Sequence, residues 1–83
     1  MARGEIVKRV VTYVVKSIVD DPDEVVVDVI EQGPNEVVAE VRTAKGDLGR
    51  VIGRRGRVAK AIRAAAAAAG EEEGIVAGVE FVD

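Results

Sequence analysis

Gly46–Arg63 reads GDLGRVIGRRGRVAKAIR. Glycines stand at 46, 49, 53 and 56, and basic residues fill the spaces between and after them: Arg50, Arg54, Arg55, Arg57, Lys60 and Arg63. Apolar Leu48, Val51 and Ile52 precede the last glycine pair, and Val58, Ala59, Ala61 and Ile62 follow it at helical intervals. The pattern predicts a short helix, a glycine-bounded turn Gly53-Arg54-Arg55-Gly56, and a long helix. Glycines on both sides of a two-residue turn let the backbone approach another chain closely, since no Cβ intervenes. A helix that starts beside such a turn presents free N–H groups and the positive end of its dipole, and this attracts phosphate. The spacing alone allows two readings: a clamp for a polyanion backbone, or a helix–turn–helix corner with a solvated basic face.

Charge distribution bears on that choice. The chain of 83 residues has a net charge of −3, which argues against a nucleic-acid binder. Yet residues 42–63 carry eight Lys and Arg against the single acid Asp47, so a local charge of +7 sits on a body carrying −10. Screening over about 8–10 Å at physiological salt keeps distant acids from cancelling that field, which can steer a polyanion to one face.

Upstream, EIVKRVVTYVVKSIV places apolar residues at 6, 7, 10, 11, 14, 15, 18 and 19, a helix with a wide apolar stripe over 5–19. Pro22 in DDPDE ends it. EVVVDVIE over 24–31 alternates as a strand, with Val25, Val27 and Val29 on one side and Val26, Asp28 and Ile30 on the other. Gln32-Gly33-Pro34-Asn35 is turn chemistry, and EVVAEVRT over 36–43 returns as an antiparallel partner. Asp47 is placed to cap the short helix. The long helix starts at about Gly56 and runs through Ala64–Ala69 to either Gly70 or Gly74; Gly74 is preferred, with Glu71–Glu73 as solvated charges poorly placed for the dipole. IVAGVEFV over 75–82 is the last strand, with Ala77, Val79 and Phe81 toward the core. The two-helix crossover makes the second and third strands parallel neighbours. The expected architecture is therefore α+β, in the order α-β-β-α-α-β: a three-stranded mixed sheet with three helices on one face.

Residues 51–63, VIGRRGRVAKAIR, resemble the I-G-x-x-G-x-x-I signature of KH domains. The element order matches the type II KH topology. From about residue 5 to 83 the chain is similar to the small bacterial single-KH proteins of the KhpA (YlqC) family, with Val58 where isoleucine is more usual. The resemblance implies one KH domain over 1–83 that clamps about four nucleotides of single-stranded RNA with its GxxG loop. Carried onto these residues, Gly53 and Gly56 permit close approach, Arg54 and Arg55 face phosphates, Arg57 and Lys60 extend the charge, and Arg50 flanks the groove. Ile52, with Val51 or Val58, lines an aliphatic floor for bases or locks the helix corner. Arg63 is expected to be a solvated helix charge, and Arg42 and Lys45 rank lower still. The resemblance also implies a low-specificity RNA chaperone, acting as a homodimer or beside a Jag/KhpB-like KH protein.

Composition excludes several alternatives. The chain contains no Cys and no His, so thiolate metal sites and the commonest general base are absent. There is no G-x-x-x-x-G-K string followed by Ser or Thr, and the glycines do not form G-x-G-x-x-G. Ser17 has no catalytic partner nearby in sequence. Tyr13 and Phe81, the only aromatics, do not make a stacking platform of the RNA-recognition-motif kind. No cofactor and no enzymatic activity are expected. With no membrane-length apolar run and no signal-peptide pattern at MARGEIVKRVV, a cytoplasmic protein is expected. A competing reading is a protein-docking module, since Val26, Ile30 and Val38 put apolar side chains on the sheet face away from the helices.

Overall fold

The computed structural model describes residues 3–83; the first two residues of the domain expected over 1–83 lie outside the described residues. Helix α1 spans Glu5–Ile18, and the period-3.6 stripe explains it: Val7, Val11 and Val15 are fully buried while Lys8, Arg9 and Lys16 face outward. Valine is a mediocre helix former, so this helix owes its stability to packing rather than propensity. Pro22–Glu24 form a single 3-10 turn. Strand β1 therefore starts at Val26, two residues later than the alternation suggests, and extends to Gly33.

Strand β2 (Glu36–Arg42) pairs antiparallel with β1, in a register placing Val29 opposite Ala39, with an irregularity between Glu31 and Gly33 at the turn. Helix α2 covers Leu48–Ile52, helix α3 Arg57–Glu72, and strand β3 Val76–Val82. β3 runs parallel to β2, giving the sheet order β1-β2-β3 with β3 at an edge. The expected α+β order and mixed sheet are thus the observed ones.

The core lies between sheet and helices. Val27, Val37, Ala39, Val41, Ala77 and Val79 project from the sheet into this core, joined by Val25 just before β1. Ile62, Ala66 and Ala69 answer from α3. Alanines permit close contact. Gly70 permits more: a Cβ there would stand 2.8 Å from the Ile75 carbonyl oxygen and 3.0 Å from the Ala77 methyl. Gly70 is therefore a helix-interior glycine required by β3, and the helix ends where preferred, with Gly74 in the left-handed conformation at φ 69°. The opposite sheet face is uncovered. Val26, Ile30 and Val76 are 49, 41 and 66 % exposed there.

Two acidic residues behave differently from expectation. Asp47 sits at the start of α2 but caps nothing in it. Its carboxylate, 3 % exposed, accepts hydrogen bonds from the Asp20 and Asp21 backbone N–H groups at 3.1 and 3.0 Å, fastening the end of α1 to the start of α2. Glu73 is not a solvated charge. It accepts from the N–H groups of Gly4 (2.8 Å), Ile6 (3.0 Å) and Val7 (3.2 Å), capping α1 from the loop that precedes β3. A carboxylate on the free donors of a helix N-terminus satisfies both their hydrogen bonding and the dipole. Burial raises the Glu73 pKa, but the N–H donors of Gly4, Val7, Ile6 and Glu5 outweigh it and hold the carboxyl below its ordinary value of 4.5.

Candidate nucleic-acid interface

The turn between α2 and α3 is built from backbone conformations that few residues tolerate. Gly53 has φ 75°, ψ 172°, a region essentially confined to glycine. Arg54–Gly56 form a 3-10 turn in which Arg55 is left-handed (φ 58°, ψ 24°), as is Gly56 (φ 70°). Arg55 is the one non-glycine residue with positive φ among those described. The turn is closed by hydrogen bonds from Gly53 N to the Gly49 carbonyl (2.9 Å) and from Gly56 N to the Gly53 carbonyl (3.1 Å).

The two glycines play different parts, which their symmetrical placing in the sequence does not show. A Cβ on Gly53 would press on the Val58 side chain and stand 2.9 Å from the Val58 backbone nitrogen. Gly53 is thus required by the chain's own packing. Around Gly56 nothing lies within 4 Å of an added Cβ, so its outer side is open to a ligand. Gly56 also precedes the first residue of α3, and no side chain caps that helix. The Arg57 N–H is donated to the Arg54 carbonyl, and the positive dipole end of the helix faces the turn.

The cations divide into two groups. Arg54, Arg55, Arg57, Lys60 and Arg63 are exposed, and among the described residues none makes an ion pair. Arg50 does: its guanidinium lies 2.9 Å from Asp20 and 3.5 Å from Asp47. Arg50 therefore reaches the interface already holding two carboxylates. Ile52 is half-buried and stands outside the core cluster, whereas its neighbour Val51 is fully buried. Val51 thus takes the role of locking the helix corner, and Ile52 is left as an accessible aliphatic surface beside the turn; Val58 packs partly against the core.

Arg42 and Lys45 are not part of this cluster. Arg42 is exposed at the end of β2, opposite Val26 and Val82 on the uncovered face. Lys45 lines a cavity of about 390 Å³ with Thr43, Ala44, Leu48, Val82 and Asp83. Arg63 is an exposed helix charge, as expected, but it also has a neighbour that the sequence does not suggest: its guanidinium carbon lies 5.5 Å from the centre of the Phe81 ring. Neither residue type nor local spacing relates positions 63 and 81, because the strand edge that brings them together is made only on folding.

Three helices on a β1-β2-β3 mixed sheet, with a glycine-bounded basic turn between the second and third helices, define a type II KH domain. The match to known proteins narrows this. Residues 8–81 fit the model of the KhpA/KhpB KH domain, and the chain belongs to that family. It is 36 % identical over 92 % of its length to "RNA-binding protein KhpA" of Chlamydia trachomatis, covering 96 % of that protein. It is 40 % identical over 90 % of its length to the protein of the same name in Clostridium acetobutylicum, covering 99 % of it. Leifsonia xyli KhpA is 60 % identical over 63 % of this chain and 67 % of its own. These relatives are named as RNA-binding proteins and not as enzymes. A crystal structure of an Aquifex aeolicus Era variant bound to GDP and aluminium fluoride superposes with a TM-score of 0.67 at 20 % identity, covering 92 % of this chain and 29 % of that one. At that identity the likeness concerns the fold alone.

Proposed function

We propose that this chain is an RNA-binding KH protein that holds about four nucleotides of single-stranded RNA against its GxxG turn. The observation that carries this reading is the set of unpaired cations, Arg54, Arg55, Arg57 and Lys60, gathered at the uncapped start of α3 beside the open Gly56. Gly56 and the positive dipole end of α3 receive a phosphate, and Arg54 and Arg55 neutralise its neighbours. Gly53 sets the turn, Ile52 supplies the aliphatic floor, and Arg50 braces α2 against Asp20 while flanking the groove. The names of the relatives support RNA as the ligand. The contacts are few and directed at the backbone, so affinity is modest and sequence preference weak, as suits a cytoplasmic RNA chaperone.

Fluorescence anisotropy with a short single-stranded RNA across a salt series tests the clamp. At about 0.7 units of log–log slope per phosphate contact, three contacts predict a slope of about −2. Arg54→Asp/Arg55→Asp should abolish binding while the domain stays folded. Equal binding by both proteins would remove the turn from the interface.

A second reading is favoured by the apolar side chains of Val26, Ile30 and Val76 on the uncovered sheet face. In this reading the chain pairs with a second copy or with a Jag/KhpB-like KH protein, and the partner supplies part of the RNA contact. Pairing would add avidity to a weak single site. The same titration separates the two: a folded, purified chain that binds no RNA at low salt is a docking subunit.

A further inference from the structure

Beyond the backbone clamp, one pair of side chains joins the charged flank of α3 to the edge strand. Gly70 of α3 packs against Ala77 of β3, and Arg63 meets Phe81, so the two elements run antiparallel, with Arg63 and Phe81 toward the clamp end. Arg63 lies six residues into α3, about 9 Å along its axis from Arg57. That distance is within the span of a four-nucleotide strand held at the turn. Phe81 is half-buried and packs partly against the core, which fixes its ring. Arg63 is exposed and makes no ion pair among the described residues, so its recorded neighbour is that ring.

A guanidinium is planar, weakly hydrated and able to stack on both of its faces. At 5.5 Å from the ring centre, Arg63 is within cation–π range of Phe81. The contact with Phe81 restrains an otherwise mobile side chain and leaves its far side toward solvent. RNA bases stack on guanidinium planes as they do on aromatic rings. We infer that Arg63, held over Phe81, is a stacking shelf for one base of the bound strand, giving a contact that is tolerant of base identity but requires a base. This inference rests on the clamp reading, since the clamp is what delivers the strand to the shelf.

The test compares two fluorescent probes of equal length, oligoadenylate and an abasic ribose-phosphate chain, each titrated across salt. Stacking on one base corresponds to about 1–3 kcal/mol, so wild type should bind oligoadenylate at least fivefold more tightly than the abasic chain. Arg63→Lys keeps the charge and loses the plane; it should cut the preference for oligoadenylate over the abasic chain by about fivefold, leaving what the Ile52 floor contributes, while retaining the salt slope. Phe81→Leu, which preserves apolar packing, should do the same. Equal affinity of wild type for both probes overturns the shelf. So does an Arg63→Lys protein that matches wild type while Arg63→Gln loses slope, for Arg63 would then be a simple phosphate charge. Failure of the clamp itself looks different: Arg54→Asp/Arg55→Asp would bind both probes as wild type does.

Discussion

At the scale of single residues, the GxxG turn separates two demands on glycine. Gly53 sits in a backbone region closed to other residues and presses against Val58, so Gly53→Ala should destabilise the domain by roughly 2–4 kcal/mol. Gly56 needs only the left-handed conformation in open space, so Gly56→Ala should cost about 1 kcal/mol. At about 4–8 °C per kcal/mol for a domain this size, thermal melts followed by circular dichroism would resolve the difference. RNA affinity should fall in both, but in Gly56→Ala it falls in a protein that is still well folded at room temperature. Equal loss of stability in the two variants would contradict this division. Arg55 adds to the picture. A left-handed arginine costs of order 1 kcal/mol, and the turn keeps it where its charge stands beside the open glycine.

At the scale of elements, the cap on α1 has a measurable pH signature. Glu73 has a lowered pKa in the folded state, so its contribution is present above the unfolded value and is lost as pH falls from about 4.5 through the folded pKa. Glu73→Gln should reduce stability at neutral pH by about 1 kcal/mol. In urea melts the difference between the two proteins should shrink progressively as pH falls below about 4.5. A gap that is constant with pH would mean that the carboxylate charge contributes nothing. This cap also shows where sequence reasoning stops. Strand alternation, the 3.6 period of α1, the hairpin and the glycine-bounded turn are all local patterns, and all appear in the fold. Glu73 and the first turn of α1 are separated by 66 to 69 residues. Within its own segment Glu73 reads only as the end of an acidic run. Asp47 shows the same limit: its position is that of an N-cap, and only the arrival of the Asp20–Asp21 backbone turns its carboxylate elsewhere. Of the candidate site, the basic turn was legible, whereas the ion pairs of Arg50 and the placing of Arg63 on Phe81 depend on tertiary neighbours.

At the scale of the whole molecule, the two sides of the domain carry opposite charge. The turn and α3 flank are basic. On the uncovered sheet face, Asp28, Glu40 and Glu80 are cross-strand partners, forming an acidic row across all three strands. Like charges placed side by side in a sheet are mildly destabilising, and such a row disfavours a polyanion on this face, which accords with the clamp proposed on the helix side. The row predicts how any self-pairing through the sheet would respond to salt. Two copies related by a two-fold axis would bring acidic rows together, so their association should strengthen as salt rises, opposite to RNA binding. Sedimentation velocity at low and high salt, with Val76→Arg as the disrupting variant, checks this. Association that weakens with salt would instead point to a basic partner surface.

The position of β3 at the sheet edge, together with the Glu73 cap, bears on how the molecule comes into being. Strand β3 supplies the parallel partner of β2, and Glu73 just before it satisfies the first helix. During synthesis α1, β1 and β2 emerge first, but until residues 73–82 follow, α1 lacks its cap and β2 presents an open edge. An unpaired apolar edge invites other chains. The edge is closed only by pairing with the last strand of the chain, a parallel, non-local contact of the kind that slows folding.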